Sequence, residues 1–205
     1  MKIKIGILGY GEIGSAIEKV YLGKTEYDIL VKDLDRDDNL FEVDYLHICI
    51  PFSNKFVEQV CNAIKEISPK TVIINSTVVP GTTRNIVQRS SFERVCHSPV
   101  RGVHPNLYEG LKTFEKYVGV IDNSLFAKEV SSHFNDLEIK TRVVFPTEAS
   151  ELAKIASTTY YGLCIAWHGE MASMCDNYGV DFEDVMTAWN TGYNQGYQSL
   201  GMNNV

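Results

Sequence analysis

The sequence has no apolar run near the roughly 18 to 20 residues that a helix needs to cross a bilayer. Its opening, MKIKIGILGYG, enters a strand pattern at once and offers no small-residue cleavage site, so a secretory leader is not expected. Positive charge is scarce: 19 Lys and Arg stand against 26 Asp and Glu, a net charge of -7. No face or run gathers the basic residues against phosphate, which argues against a nucleic-acid partner. The five cysteines, at 49, 61, 96, 164 and 175, form no C-x-x-C pair and leave an odd one. Cys49 and Cys96 lie in apolar, strand-like runs, where a free thiol behaves as a small hydrophobe. A reducing cytoplasm and no metal site are the expectation. Proline is also absent after Pro146.

What is present is the composition of a globular chain, 44% hydrophobic and 22% charged. Its 205 residues suit one well-buried domain with an appendage. Short apolar runs alternate with amphipathic stretches up to about residue 145. Strands are expected at Ile3–Leu8, Asp28–Lys32, Tyr45–Ile50, Thr71–Asn75, Arg94–His97, Tyr117–Ile121 and Thr141–Phe145. Several are near-continuous in Ile, Val and Leu, as strands buried on both faces of a parallel sheet are. Helices are expected at Ile13–Leu22, Lys55–Ile67, Thr82–Gln88 and Ser124–Phe134. That alternation predicts an α/β fold of the Rossmann type, a doubly wound, mostly parallel sheet over residues 1–146.

Residues 147–205 read differently, as a long helix and a short helical tail. Thr147 can cap a helix whose first turns carry Glu148 and Glu151. Running to Tyr178 and ending at Gly179, it would be roughly 45 Å long at about 1.5 Å per residue. Its Trp167, Met171 and Met174 call for a partner surface, and a homodimer through this helix is expected. A second helix, Asp181 to about Asn190, follows. The last stretch, TGYNQGYQSLGMNNV, is rich in Gly, Asn and Gln and is expected to fray or to pack only in an oligomer.

The most specific motif is GYGEIG, comprising Gly9, Tyr10, Gly11, Glu12, Ile13 and Gly14, directly after a strand and at the head of a helix. Gly9 permits the tight turn, Gly11 lets backbone approach a pyrophosphate, and Gly14 allows close helix–strand packing. The helix N-terminus then offers free N–H groups to phosphate. A second strand ends at Asp33, nineteen residues after Gly14, where a carboxylate can bond ribose hydroxyls and repel a 2′-phosphate. NAD is therefore expected as cofactor; Lys32 and Arg36 keep NADP as the less favoured choice. Pro51 and Phe52 fall where a third strand meets the cofactor crevice, or simply end that strand.

In TVIINSTVVPGTT, Ser76 and Thr77 follow a buried strand. Their hydroxyls can contact nicotinamide or substrate, or merely cap the turn. His97 and His104 are candidate acid–base groups, although a lone histidine is more often structural. Arg101 can bind an anionic substrate or sit as a surface charge. Within ASELAKIASTTYYGLC, Lys154 has Glu151, Thr158 and Tyr161 on its side of the helix.

Taken together, GILGYGEIG, INSTVVPGTT, SPVRG with EGLKTFEKYVG, and the stretch from EASELAKIAS to GVDFEDV resemble the 6-phosphogluconate dehydrogenase-like superfamily. They are most similar to the NAD-binding and central-helix part of UDP-glucose/GDP-mannose dehydrogenases. The resemblance implies an NAD-dependent oxidoreductase moving hydride between NAD and an alcohol, a nucleotide sugar. It implies that Lys154 points into the cleft for proton transfer or oxyanion stabilisation, with Thr77 and Thr158 orienting substrate. A lysine partly desolvated beside a cationic ring should have a lowered pKa.

Several residues depart from that pattern. Thr158 stands where the family has asparagine, and Val100 where nucleotide-sugar dehydrogenases have glutamate. SPVRG instead resembles the small hydroxyacid dehydrogenases, and GVHPN a motif of prephenate dehydrogenases. Asp33 to Asp44 leaves room for barely a turn, so one strand and helix should be abridged. The thiol nucleophile of nucleotide-sugar dehydrogenases lies in a later domain, and no cysteine here follows position 175. Oxidation is thus expected to stop after two electrons. The alternatives are a small hydroxyacid dehydrogenase of the 3-hydroxyisobutyrate or 6-phosphogluconate type, or an NAD-binding protein without turnover.

Overall fold

The structure, a computed structural model, describes residues 2–203. The chain forms two compact units, Met1–Ile155 and Ala156–Val205.

In the first unit eight strands make one sheet: β1 (Ile3–Leu8), β2 (Tyr27–Asp33), β3 (Arg36–Asp37), β4 (Tyr45–Ile48), β5 (Thr71–Ile74), β6 (Val95–His97), β7 (Lys116–Gly119) and β8 (Thr141–Val144). Their order is β3-β2-β1-β4-β5-β6-β7-β8. From β2 through β1, β4 and β5 to β6 every pairing is parallel, as is β7 with β8. Two steps reverse: β3 turns back on β2, and β7 meets β6 antiparallel through the pair His97 and Gly119. The two-residue β3 is all that fills the Asp33–Asp44 interval, as its shortness required. From β1 the successive strands are laid down first to one side, at β2, and then to the other, at β4, and this switch opens a crevice at the strands' carboxyl ends.

Side chains alternate across the sheet and divide the core into two layers. Ile5, Ile7, Ile73 and Val118 pack on one face with Ile17 and Val20 of α1 (Glu12–Tyr21) and Val130 and Phe134 of α5 (Ser124–Asp136). Leu46, Ile48, Val72 and Ile74 pack on the other with Phe56, Val60 and Ile64 of α2 (Phe56–Ile67) and Ile86 of α3 (Thr82–Ser90). Each helix turns one apolar stripe inward, and each fully buried Ile, Leu or Phe stabilises by about 1.5–3 kcal/mol. A short α4 (Leu107–Thr113), which the sequence pattern did not signal, seats Leu107 and Leu111 in the first layer.

The first layer also holds a buried polar chain. The Tyr21 hydroxyl lies 2.8 Å from Nε2 of both His47 and His133, and His47 Nδ1 lies 2.8 Å from Asn75 Oδ1. Asn75 Nδ2 donates to the Ser98 carbonyl at 2.8 Å, so Oδ1 must accept from His47 Nδ1–H. With His47 neutral, its Nε2 is bare and accepts the Tyr21 O–H, and His133 Nε2–H donates to Tyr21. Every member of the chain is thus satisfied with both imidazoles neutral. Burial holds His47 down at about 3 and His133 at about 4.

The second unit is helical. α6 (Thr147–Tyr178), whose residues up to Ile155 belong to the first unit, ends at Gly179, whose φ of +65° is the left-handed stop that glycine permits. Asp181 Oδ1 then accepts the N–H groups of Glu183 and Asp184, starting a π-helical stretch, Glu183–Ala188, that runs into α7 (Trp189–Ser199). The Gly-, Asn- and Gln-rich stretch expected to fray is thus helical as far as Ser199. Trp189, Tyr193 and Tyr197 follow one another at i, i+4 with ring centroids 6.3 and 6.2 Å apart, and this row offsets the cost of Gly192 and Gly196. Asn204 and Val205 lie outside the described residues. Among the described residues no helix is long and apolar enough to cross a membrane.

Candidate functional site

At the carboxyl ends of β1, β2, β4 and β5 lies a cavity of about 950 Å³. Its walls include Gly9, Gly11, Glu12, Ile13, Asp33, Pro51, Phe52, Ser76 and Thr77, most of the residues singled out for cofactor binding, together with His104. Tyr10 and Gly14 are not on the wall. Tyr10 instead donates through its hydroxyl to Glu18 and carries the Arg36 guanidinium over its ring at 5.1 Å. Gln59 and Ser53 also line the cavity. No motif marks them, because α2 alone brings Gln59 there.

The turn at Gly9 and the close packing at Gly14 are as expected. Gly9 has φ +94°, and a Cβ there would lie 2.8 Å from the Cys49 carbonyl carbon. A Cβ on Gly14 would lie 2.0 Å from the Gly9 carbonyl oxygen, so only hydrogen lets α1 approach β1. Gly11 has nothing within 4 Å of a built Cβ and leaves space for a ligand. The α1 N-terminus receives no side-chain cap, so its N–H groups face the cavity unsatisfied.

Asp33 sits at the end of β2, and its carboxylate accepts the backbone N–H of Tyr10 and, at 2.6 Å, that of Leu34. The Tyr10 bond, then that of Leu34, holds it below the usual carboxylate range. Basic neighbours that could take a 2′-phosphate are engaged with other acids. Arg36 pairs with Asp38 at 2.7 Å and Glu18 at 3.5 Å, and Lys32 with Asp37 at 3.4 Å. These groups fit a dinucleotide with free ribose hydroxyls: open Gly11 and a bare helix end for pyrophosphate, and a charged acceptor at β2.

On the far wall the hydroxyl of Ser76 donates to the Ile50 carbonyl at 2.6 Å, and Thr77 is exposed to the cavity. His97 is buried behind them. Its Nε2 faces the Ser76 carbonyl at 3.2 Å and its Nδ1 the Ser150 hydroxyl at 2.8 Å. A carbonyl only accepts, so Nε2 carries the proton; the single hydrogen of the Ser150 hydroxyl is shared between Nδ1 and the Thr147 carbonyl, each 2.8 Å away. Burial pushes His97 down to about 3. It is a structural tie from β5 to the first turn of α6, and no acid–base group.

That first turn is anchored three times. Glu151, fully buried, accepts the N–H of Gly81 at 2.6 Å and both the N–H and hydroxyl of Thr83, at 2.8 and 2.7 Å. Arg84 forms a two-pronged pair with Glu148, at 2.5 and 3.1 Å. A Cβ on Gly119 would lie 2.1 Å from the Ser150 hydroxyl, so β7 and α6 touch. The expected Thr147 cap is not made: its hydroxyl is the buried side-chain oxygen without a hydrogen bond among the described residues.

Lys154, one turn beyond Ser150, is half-buried and lies outside the cavity wall. Burial first, and then the positive charge of Arg101, lowers its pKa from the ordinary lysine value. Arg101 stacks over Phe114 and Tyr117 at 5.6 and 5.5 Å and donates to the Glu115 carbonyl at 3.2 Å. It too is off the cavity wall, whereas His104 reaches that wall and pairs with Glu12. Thr158 is exposed and belongs to the second unit.

Residues 148–203 match the central domain of the UDP-glucose/GDP-mannose dehydrogenase family. The chain is 26% identical over 172 residues to the UDP-N-acetyl-D-mannosamine dehydrogenase of Methanococcus maripaludis, an alignment covering 76% of this chain and 40% of that one. It is 23% identical over 233 residues to the UDP-glucose 6-dehydrogenase of Campylobacter jejuni, covering 90% and 59%. It thus spans roughly half the length of these curated relatives. Among solved structures it superposes on the UDP-D-ManNAc dehydrogenase of Pyrococcus horikoshii with a TM-score of 0.74 at 18% identity, covering 92% of this chain and 58% of that one. The 3-hydroxyisobutyrate dehydrogenase of Mycobacterium tuberculosis gives 0.71 at 15%, covering 92% and 71%. The chain resembles the 6-phosphogluconate dehydrogenase-like superfamily in sequence and fold, with the nucleotide-sugar dehydrogenases among its matches.

Proposed function

We propose that the chain is the cofactor-binding and central-helix part of an NAD-dependent dehydrogenase that oxidises an alcohol of a nucleotide sugar. The observation that carries this reading is the glycine loop, open at Gly11, facing Asp33 across one cavity. Gly9–Gly14 and the α1 N-terminus hold the pyrophosphate, Asp33 the adenosine ribose, and Ser76, Thr77, Pro51 and Phe52 the nicotinamide side. The nicotinamide, when bound, supplies the two-electron acceptor.

Lys154, with its lowered pKa, takes the proton from the substrate hydroxyl oxygen, and Thr158 orients the substrate. Arg101 and His104 attract its anionic part. The acidic partners of Lys32 and Arg36 support NAD over NADP. Exposed Leu163, Ile165, Trp167 and Met174 of the second unit support a homodimer.

The test is a fluorescence titration with NADH and NADPH. Saturable micromolar NADH binding, at least about tenfold tighter than NADPH, is expected, and Asp33→Ser should erase that preference. Binding of neither dinucleotide would end the reading. With a turnover substrate in hand, Lys154→Ala should lower kcat by about a hundredfold or more and leave NADH affinity unchanged.

A further inference from the structure

Lys116 opens β7 and is 2% exposed, yet no carboxylate lies within ion-pair distance of it among the described residues. Its ammonium donates instead to two backbone carbonyls, Ser98 at 2.8 Å and Pro99 at 3.4 Å, and stands 5.1 Å from the centre of the Phe134 ring. A buried cation without a counter-ion is destabilising, and a methionine of similar reach would fill the same space without that cost. The position of the two carbonyls suggests what offsets it.

Ser98 is the last fixed point before the turn that carries Arg101. Its N–H donates to the Ile74 carbonyl at 2.8 Å, its hydroxyl to the Tyr117 carbonyl at 2.7 Å, and its own carbonyl receives both Lys116 and Asn75. Asn75 directly precedes Ser76 and Thr77 of the cavity wall. The Lys116 ammonium therefore joins the ends of β5, β6 and β7 at the point where the chain leaves the sheet for the site.

We propose that Lys116 is a positioning residue, whose buried ammonium holds the Ser98 and Pro99 carbonyls and so sets the path of the turn bearing Arg101. The role of Arg101 toward substrate rests on the function proposed above; the hold on its turn does not. Burial pushes Lys116 down to about 7, with Cys49 and Cys96 opposing that shift and Lys154 adding to it. The titratable groups facing it are His47 and Cys49 from β4 and the segment after it, Cys96 and His97 from β6, and Lys154 from α6. The two imidazoles are neutral at physiological pH and the two thiols are pushed up to about 12, so the change of charge near neutrality is that of Lys116.

The test is hydrogen exchange of the Ser98 amide, which donates to the Ile74 carbonyl, corrected for intrinsic rates, in the wild-type chain and Lys116→Met, each with a thermal melt at the same pH. In the wild type its protection should fall about tenfold as pH rises from 6 to 9, the excess of a charge-assisted hydrogen bond over a neutral one. In Lys116→Met it should be low at every pH, while the melting temperature rises, most at pH 7 and below. A local loosening together with a global stabilisation is the signature of positioning. Protection in the variant that tracks its melting temperature, or a wild-type profile flat with pH, would overturn the proposal. A Lys154→Met control must leave the wild-type profile in place; if it abolishes it, the titrating group is Lys154 and the proposal fails. NADH titration of the same samples reports the cofactor reading separately, since the exchange experiment uses no ligand.

Discussion

Lowering the pH from 7 to 5 should remove about 6 kcal/mol of stability from this fold. His47 and His97 are fully buried and His133 is 5% exposed, with pKa values held at about 3, 3 and 4 against an ordinary 6.5. The unfolded chain binds a proton at each as pH drops through 6.5, while the folded chain does not. Stability is therefore present above 6.5 and declines as pH falls toward 3 or 4. At pH 5, about 1.5 units below the unfolded value, each histidine favours the unfolded chain by about 2 kcal/mol, and three give about 6. A domain holds about 5–15 kcal/mol in all, so this is a large share of the total.

Other groups titrate outside this window. Lys116 acts between about 7 and its ordinary 10.5, and the lowered carboxylates Asp33, Asp38, Asp44 and Glu148 act below 5. Urea denaturation followed by far-UV circular dichroism at pH 7, 6 and 5 measures the slope. His133→Gln, which keeps a donor for Tyr21, should remove about 2 kcal/mol of the difference. Stability that changes by less than about 2 kcal/mol between pH 7 and 5 would refute the neutral-histidine assignment.

Two further substitutions separate architecture from ligand binding. Gly14→Ala forces a Cβ to 2.0 Å from the Gly9 oxygen and should cost about 3 kcal/mol or more in denaturant titration, whereas Gly11→Ala meets nothing within 4 Å and should melt like the wild type. Gly11→Ala should nevertheless weaken NADH binding at least about tenfold, because the methyl group occupies the pyrophosphate's place. Glu151→Gln turns an N–H group toward the donors of Gly81 or Thr83 and removes a buried charge they bond. A loss of about 2–3 kcal/mol is expected, read by the same denaturation.

Much of the sheet was legible because its strands are apolar without interruption: Val72, Ile73 and Ile74 announce β5 whatever lies around them. The glycine loop and Asp33 were legible because their spacing encodes backbone geometry. What escaped was tertiary. α4 has seven residues with Gly110 in its middle, and that glycine is there because a Cβ would lie 2.6 Å from the Arg101 oxygen and the Gly102 Cα. β3 is two residues long and exists only through β2. Lys116 and His133 look like surface residues in their own segments; only the packing of α5 and α1 on one face buries them. Glu151 drew notice as first-turn charge on α6, but its carboxylate serves another helix. The reversal between β6 and β7 leaves no mark in local pattern at all.

That carboxylate has a consequence for the order in which the chain can organise. α3 brings no capping side chain of its own, and its first donors bond a residue 68 to 70 positions downstream. During synthesis, Gly81 and Thr83 leave the ribosome long before Glu151, and until it arrives the head of α3 keeps its N–H groups in water. At about 5–20 residues per second this interval lasts some seconds, far longer than a helix needs to form. The helix is therefore finished late by a distant hand, and its head is complete only once the start of α6 is in place.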